Sequence, residues 1–184
     1  MNEGLISRRY AKALYEYAVT LKEEEALYKR LQVLSTQLQT IPQLKEVLYN
    51  PMISSNEKAT LLNEATGKSP EQSYVSFVRL VLENRREKSI LHIALSYQSL
   101  YRKKKNIRVV SLISTEELQP GVISRIRKDV TDETLGTVEF TNRIDPSLEG
   151  GFIFQLNDLR LDASVKNQLE RVRRQFLQKN KTIV

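Results

Sequence analysis

The sequence predicts a mostly α-helical protein with a small α/β part. An N-terminal six-helix bundle spans residues 1–105, and a C-terminal α/β domain with a short β-sheet spans 106–184. Three observations lead there. Up to Lys105, apolar residues recur at helical spacing between short breaks marked by Pro, Ser or Gly. Beyond Asn106 come β-branched and alternating segments. The composition changes at the same place: the 11 acidic residues before it are all Glu, whereas every Asp lies at or after Asp129. Glu suits helix interiors, and Asp suits caps and turns. The boundary falls at the basic run Arg102-Lys103-Lys104-Lys105-Asn106.

Helix 1 runs from about Leu5 to Thr20. Helix 2 covers Glu23 to Gln39, with Leu27, Leu31, Leu34 and Leu38 on one face. Pro42 suits the first turn of helix 3, and Asn50-Pro51 ends it. Ser54 or Ser55 caps helix 4; Ser54 has Glu57 three residues on, the spacing of a capping box. That helix ends near Gly67. Helix 5 opens at Pro70 and reaches Asn84. Helix 6 runs from about Glu87 to Lys104, with Ile90, Ile93, Ala94, Tyr97, Leu100 and Tyr101 on one side. Short connections imply that neighbouring helices pack together.

Ile107–Ile113 reads as a strand because it is rich in β-branched residues. A turn or helix begins at Thr115, and Pro120 opens a regular helix carrying Val122, Ile126 and Val130. Thr137–Arg143 alternates, with Val138 and Phe140 on one face. Gly150-Gly151 reads as a tight turn or a close backbone approach and leads into Phe152–Leu156. Asn157-Asp158 suits a two-residue hairpin turn, with Leu159–Leu161 returning. Asp162 or Ser164 caps a last helix whose buried stripe is expected at Leu161, Val165, Leu169, Val172 and Phe176. The tail from Lys179 to Val184 is expected to fray.

Helices 1 and 5 are more apolar than a surface helix needs. In helix 1, Ile6, Tyr10, Ala13, Leu14, Tyr17 and Leu21 form one stripe, and Ala11, Tyr15 and Ala18 widen it to an arc of roughly 200°. Helix 5 is similarly broad through Tyr74, Val75, Phe77, Val78, Leu80, Val81 and Leu82. Two readings stand at this point. Both helices are central in the bundle, or each divides its apolar surface between the core and a partner helix seated in a groove.

Signals for chemistry are sparse. Cysteine is absent and His92 is the single histidine, which excludes thiolate sites, cysteine nucleophiles and multi-histidine metal centres. Gly67-Lys68-Ser69 lacks the rest of a phosphate-binding loop. His92 reads as a solvated or satisfied helix residue. Asp145, Asp158 and Asp162 read as turn and cap residues rather than an acid/base cluster. An enzyme is not expected, nor any cofactor or metal. The chain carries a net charge of +7 and basic clusters at Arg102–Lys105 and Arg171–Arg174. The competing class is therefore a basic helical nucleic-acid-binding protein, whose affinity falls steeply with salt. No recognised nucleic-acid motif supports that class. No stretch is long and apolar enough to span a membrane. The first ten residues hold no secretory or import signal, and a bacterial cytosolic setting is expected.

The order of motifs adds a resemblance. Arg9-Tyr10-Ala11-Lys12-Ala13-Leu14, Asn50-Pro51, Leu82-Glu83-Asn84-Arg85-Arg86, the run from Ile144 to Phe152 (IDPSLEGGF) and Asp162-Ala163-Ser164-Val165 follow one another across nearly the whole chain. The series resembles the delta subunit of F-type ATP synthases, the family of the oligomycin-sensitivity-conferring protein. Glu149 and Phe154 depart mildly from its pattern. The resemblance implies a non-catalytic stator subunit that couples rotation to ATP synthesis and proton transport. Such a subunit is a monomer within a hetero-oligomeric complex, without direct membrane insertion, on the cytoplasmic face of the inner membrane. It also implies partners. The alpha subunit's N-terminal helix would lie between helices 1 and 5, against Tyr10, Ala11, Leu14, Tyr15 and Ala18 with Tyr74, Phe77, Val78 and Val81 opposite. The b subunits of the peripheral stalk would meet the last helix at Val165, Leu169, Val172 and Phe176. On this reading Ala11→Arg or Val78→Asp is expected to leave the bundle folded and to weaken headpiece binding.

Overall fold

The computed structural model describes residues 3–67, 69–116, 121, 123–125, 137–148, 150–156 and 159–181, with backbone alone at 3 and 175–181. Two compact units follow one another, Met1–Lys105 and Asn106–Val184. The chain is mostly helical, with a small mixed sheet of four strands. Of the expected helix at Pro120, residues 121 and 123–125 are described and are helical; Pro120, Val122, Ile126 and Val130, the Asn157-Asp158 turn and the end of the tail lie outside the described residues.

The first unit holds α1 (Glu3–Leu21), α2 (Glu24–Thr40), α3 (Pro42–Tyr49), α4 (Ser55–Thr66), α5 (Gln72–Glu83) and α6 (Ile90–Lys105). Helix α6 packs along α1 and α2, α4 lies against α5 and α2, and α1 also meets α5. The leucine stripe of α2 is buried from end to end, together with Leu48, Leu62, Tyr74, Val81, Ile93, Ala94 and Tyr97. Burial pushes the Tyr74 hydroxyl up to about 12, and that hydroxyl donates to the Leu62 carbonyl at 3.0 Å.

The ends of these helices have local causes. Ser54 Oγ accepts from the Glu57 amide at 3.3 Å, and Glu57 Oε2 accepts from the Ser54 amide at 3.0 Å, completing the capping box. Replacing Ser54 with Ala is expected to lower stability by about 1 kcal/mol, measurable by urea unfolding. Helix α5 starts at Gln72 rather than Pro70, because Glu71 is held in extended conformation as its N-cap. The buried Arg30 guanidinium binds the Glu71 carboxylate and donates to the carbonyls of Thr66 and Gly67 at 3.1 Å each and of Ser69 at 3.1 Å. It also stacks over the Tyr74 ring at 5.5 Å. One side chain thereby closes the end of α4 and sets the start of α5. At the other end of α5, Arg85 adopts the left-handed conformation (φ 52°), with Arg86 N donating to Val81 O at 2.9 Å. This closure folds the chain back after the helix. Glu87–Ser89 then forms a 3-10 turn, so α6 begins at Ile90 rather than Glu87.

The last turn of α6 is pinned to α2. Arg102 Nε donates to the Tyr28 hydroxyl at 2.8 Å, and Lys105 Nζ lies 3.1 Å from Glu24 Oε1. Asn106 follows at φ 59°, a left-handed position that Asn tolerates.

The second unit is built on β1 (Ile107–Ser114), β2 (Thr137–Ile144), β3 (Phe152–Leu156) and β4 (Leu159–Asp162), in spatial order β2-β1-β3-β4. β1 pairs parallel with β2 and antiparallel with β3, and β4 pairs antiparallel with β3. The register sets Val110 beside Leu156 and Leu112 beside Phe154 on one face, while Ile113 and Ile153 meet on the other. Val110, Leu112 and Ile153 are buried. Helix α7 (Val165–Lys181) follows, with Ser164 Oγ accepting from the Asn167 amide at 3.3 Å as its cap.

Gly150 and Gly151 mark a close approach. Gly151 sits at φ 79°, and a Cβ built there would overlap the Ala163 carbonyl; one on Gly150 would meet a Val165 methyl. Gly151→Ala combines a left-handed backbone with a clash against main chain. It is expected to destabilise the second unit by about 3 kcal/mol, read as lost hydrogen-exchange protection in β3 and β4.

Candidate functional site

The first unit carries an apolar groove of about 690 Å³ between α1 and α5, lined by Ile6, Arg9, Tyr10, Ala13, Leu14, Tyr17, Ser76, Phe77, Leu80 and Arg86. Its walls follow from helical geometry. Taking Ile6 as zero at 100° per residue, Ala13, Tyr17, Tyr10 and Leu14 fall between about −20° and 80° on α1. Ser7, Ala18 and Ala11 fall between about 100° and 140°. The first arc faces the groove and the second faces the interior, where Ser7, Ala11 and Ala18 are buried. Leu14 stands at the join and is also buried. On α5, Ser76 and Leu80 turn toward the groove, while Tyr74, Val78 and Val81 turn inward.

The two walls run antiparallel. Ser73, in the first turn of α5, donates its amide at 2.8 Å to Glu23, just beyond the end of α1. Hydrogen bonding from Ser73 holds the Glu23 carboxyl below its usual value. Arg86, past the end of α5, therefore belongs to the same end of the groove as Arg9, in the early turns of α1.

Of the residues expected at a partner surface, Tyr10, Leu14 and Phe77 line the groove. Ala11, Ala18, Tyr74, Val78 and Val81 lie inside the unit's own core. Tyr15 is half-buried, its ring 6.0 Å from Tyr97 and 6.5 Å from Tyr101 on α6. The groove residues left out of that set are Ile6, Ala13, Tyr17 and Leu80, with Arg9, Ser76 and Arg86 at the margins. The signal for the α1 members was present in the stripe from Ile6 to Leu21. Leu80 and Tyr17 are 48% and 41% exposed, which is high for large apolar side chains.

In the second unit the stripe expected to be buried is open: Val165, Leu169 and Val172 of α7 and Leu161 of β4 are exposed, as is Leu159. The side chain of Phe176 lies outside the described residues. Asp145 and Asp162 serve turns. Asp145 Oδ1 accepts from the Ser147 hydroxyl at 2.6 Å, and Asp162 Oδ1 accepts from the Ser164 hydroxyl at 2.6 Å. These bonds hold both carboxyls below the usual Asp value, leaving them ionised acceptors rather than acids. His92 is exposed on α6. Among the described residues no helix is long and apolar enough to cross a membrane.

What this arrangement can do is bind. A furrow walled by two helices, apolar along its length and charged at one end, matches the seat of an amphipathic helix.

Comparison with known proteins agrees in scale. A family model described as ATP synthase delta (OSCP) subunit matches residues 6–176. A protein of Phocaeicola vulgatus named ATP synthase subunit delta is 45% identical over 182 residues, covering 98% of each chain. Its namesake in Bacteroides thetaiotaomicron is 44% identical over 186 residues and covers 100% of both. That of Lactobacillus johnsonii is 30% identical over 175 residues, 94% of this chain and 95% of that one. Among solved structures, a chain of the Toxoplasma gondii mitochondrial ATP synthase hexamer superposes with a TM-score of 0.71 over 96% of this chain and 98% of its own. At 20% identity, that likeness speaks for the fold.

Proposed function

The chain belongs to the ATP synthase delta (OSCP) subunit family, and from that premise we propose that it acts as a clamp at two sites. It is a non-catalytic subunit of the ATP synthase complex. The first unit, read as the family's six-helix bundle, holds the catalytic headpiece by taking the N-terminal helix of an alpha subunit into the α1–α5 groove. The second unit meets the b subunits of the peripheral stalk through the exposed apolar side of α7, around Val165, Leu169 and Val172. The protein then lies at the cytoplasmic face of the bacterial inner membrane, attached through the complex.

The observation that carries this reading is the groove: a mainly apolar furrow between α1 and α5, with the large side chains of Tyr17 and Leu80 left open. A stator requires long-lived attachment and no chemistry. Burying a few hundred Å² of apolar surface, at about 25 cal/mol per Å², contributes several kcal/mol before ordering costs. Such a contact resists salt, unlike phosphate binding. The test is calorimetric titration of the full-length chain with a peptide of the alpha N-terminus from the same genome, repeated in molar salt. Retained binding is expected. A peptide that fails to bind at any ionic strength refutes the assignment.

A further inference from the structure

The groove is not electrically neutral, and its charge sits at one end. Arg9 and Arg86 line it, and none of its other lining residues is acidic or basic. Among the described side chains, Glu87, which follows Arg86, pairs with Lys58 at 3.2 Å, and two further carboxylates are engaged as well. Glu16 pairs with Lys12 at 3.9 Å, and Glu83 pairs with Arg79 at 2.7 Å, each along its own helix. The antiparallel walls bring Arg9 from the start of α1 and Arg86 from beyond α5 to the same end. Arg86 follows the left-handed Arg85 that closes α5. Toward the other end the lining is Tyr17 and Ser76, without charge.

Resting on the groove reading above, we propose that this pair of guanidinium groups selects the occupant. The docked segment is an amphipathic helix that carries a carboxylate at the end lying beside the first turns of α1, placed to be held by Arg9 and Arg86. The chemistry is direct. A guanidinium binds a carboxylate through paired N–H donors, and the apolar walls exclude water from around that bond. Two cations without an anionic neighbour in the lining oppose a basic residue at that point of the partner. Apolar burial then supplies most of the affinity, and the arginines supply register and discrimination.

The experiment uses the full-length chain and the alpha N-terminal peptide, with each Glu or Asp of the peptide changed in turn to its amide. Against the unmodified chain, one amide substitution is expected to weaken binding about five-fold. The same substitution should have little effect against the Arg9→Gln/Arg86→Gln chain, which itself should bind the native peptide about ten-fold more weakly and with a flatter salt dependence. Because the peptide changes leave the chain untouched, the result does not depend on how the arginine variant folds. If no amide substitution weakens binding while the native peptide still binds, the arginine selection is wrong and the groove assignment survives. If the native peptide does not bind at all, both fall.

Discussion

Leu80→Asp is expected to weaken binding of the alpha N-terminal peptide by on the order of 100-fold while the chain stays folded. Leu80 is 48% exposed and packs into nothing on its outer side, so an aspartate there keeps its water in the free protein. In the complex that carboxylate would be desolvated against apolar side chains, at a cost of about 3 kcal/mol. Tyr17→Asp, on the facing wall, should behave alike. Ala11→Arg and Val78→Asp serve as the contrast. Both side chains are buried in the core, so these substitutions should unfold the first unit rather than empty the groove. Calorimetry with thermal unfolding of each variant separates the two outcomes. Unaltered affinity in a folded Leu80→Asp chain would remove the groove from the binding surface.

Arg30→Ala is expected to destabilise the first unit by about 3–5 kcal/mol, as much as truncating a large core side chain. The side chain is 10% exposed and its partner Glu71 is 20% exposed, so the pair is largely out of water. Removing it strands a half-buried carboxylate and the part-buried Thr66 carbonyl, and loses the bonds to the exposed carbonyls of Gly67 and Ser69. For a unit of this size, the loss corresponds to a fall in melting temperature of roughly 12–25 °C. Arg30→Lys should recover little, because an ammonium cannot reach several carbonyls in a fan. A melting temperature within a few degrees of the unaltered chain would show that the hub is dispensable.

The fold was legible where a residue's role is set by its near neighbours along the chain. Leu27, Leu31, Leu34 and Leu38 announced a buried face at helical spacing, and Ser54 with Glu57 announced a cap. The start of α5 was misplaced at Pro70 because its true cap, Glu71, is held by Arg30, some forty positions earlier in the sequence. No local pattern encodes that bond. Sheet pairing was illegible for a similar reason. The strands could be picked out by β-branching, but the parallel match of Ile107 with Thr137 is a tertiary choice.

The groove was half legible. The apolar arc of α1 was visible as two adjoining arcs, and the wheel alone does not say which one faces inward. Small Ala11 and Ala18 suggested close approach by a partner helix. Both are buried in the unit's own core, and α6 packs along α1. Arg9 and Arg86 were present in the quoted motifs, but their shared end depends on the antiparallel course of α1 and α5.

The fastening of α6 to α2 has a mechanical consequence. Tension entering through Asn106 arrives at a helix whose final turn is tied sideways by Arg102 to Tyr28 and by Lys105 to Glu24. Those ties must slide together, in shear, before the helix can be peeled away one turn at a time. Since α6 also lies along α1, a pull is carried directly into one wall of the groove, and a helix docked there would share the load instead of hanging from a frayed end.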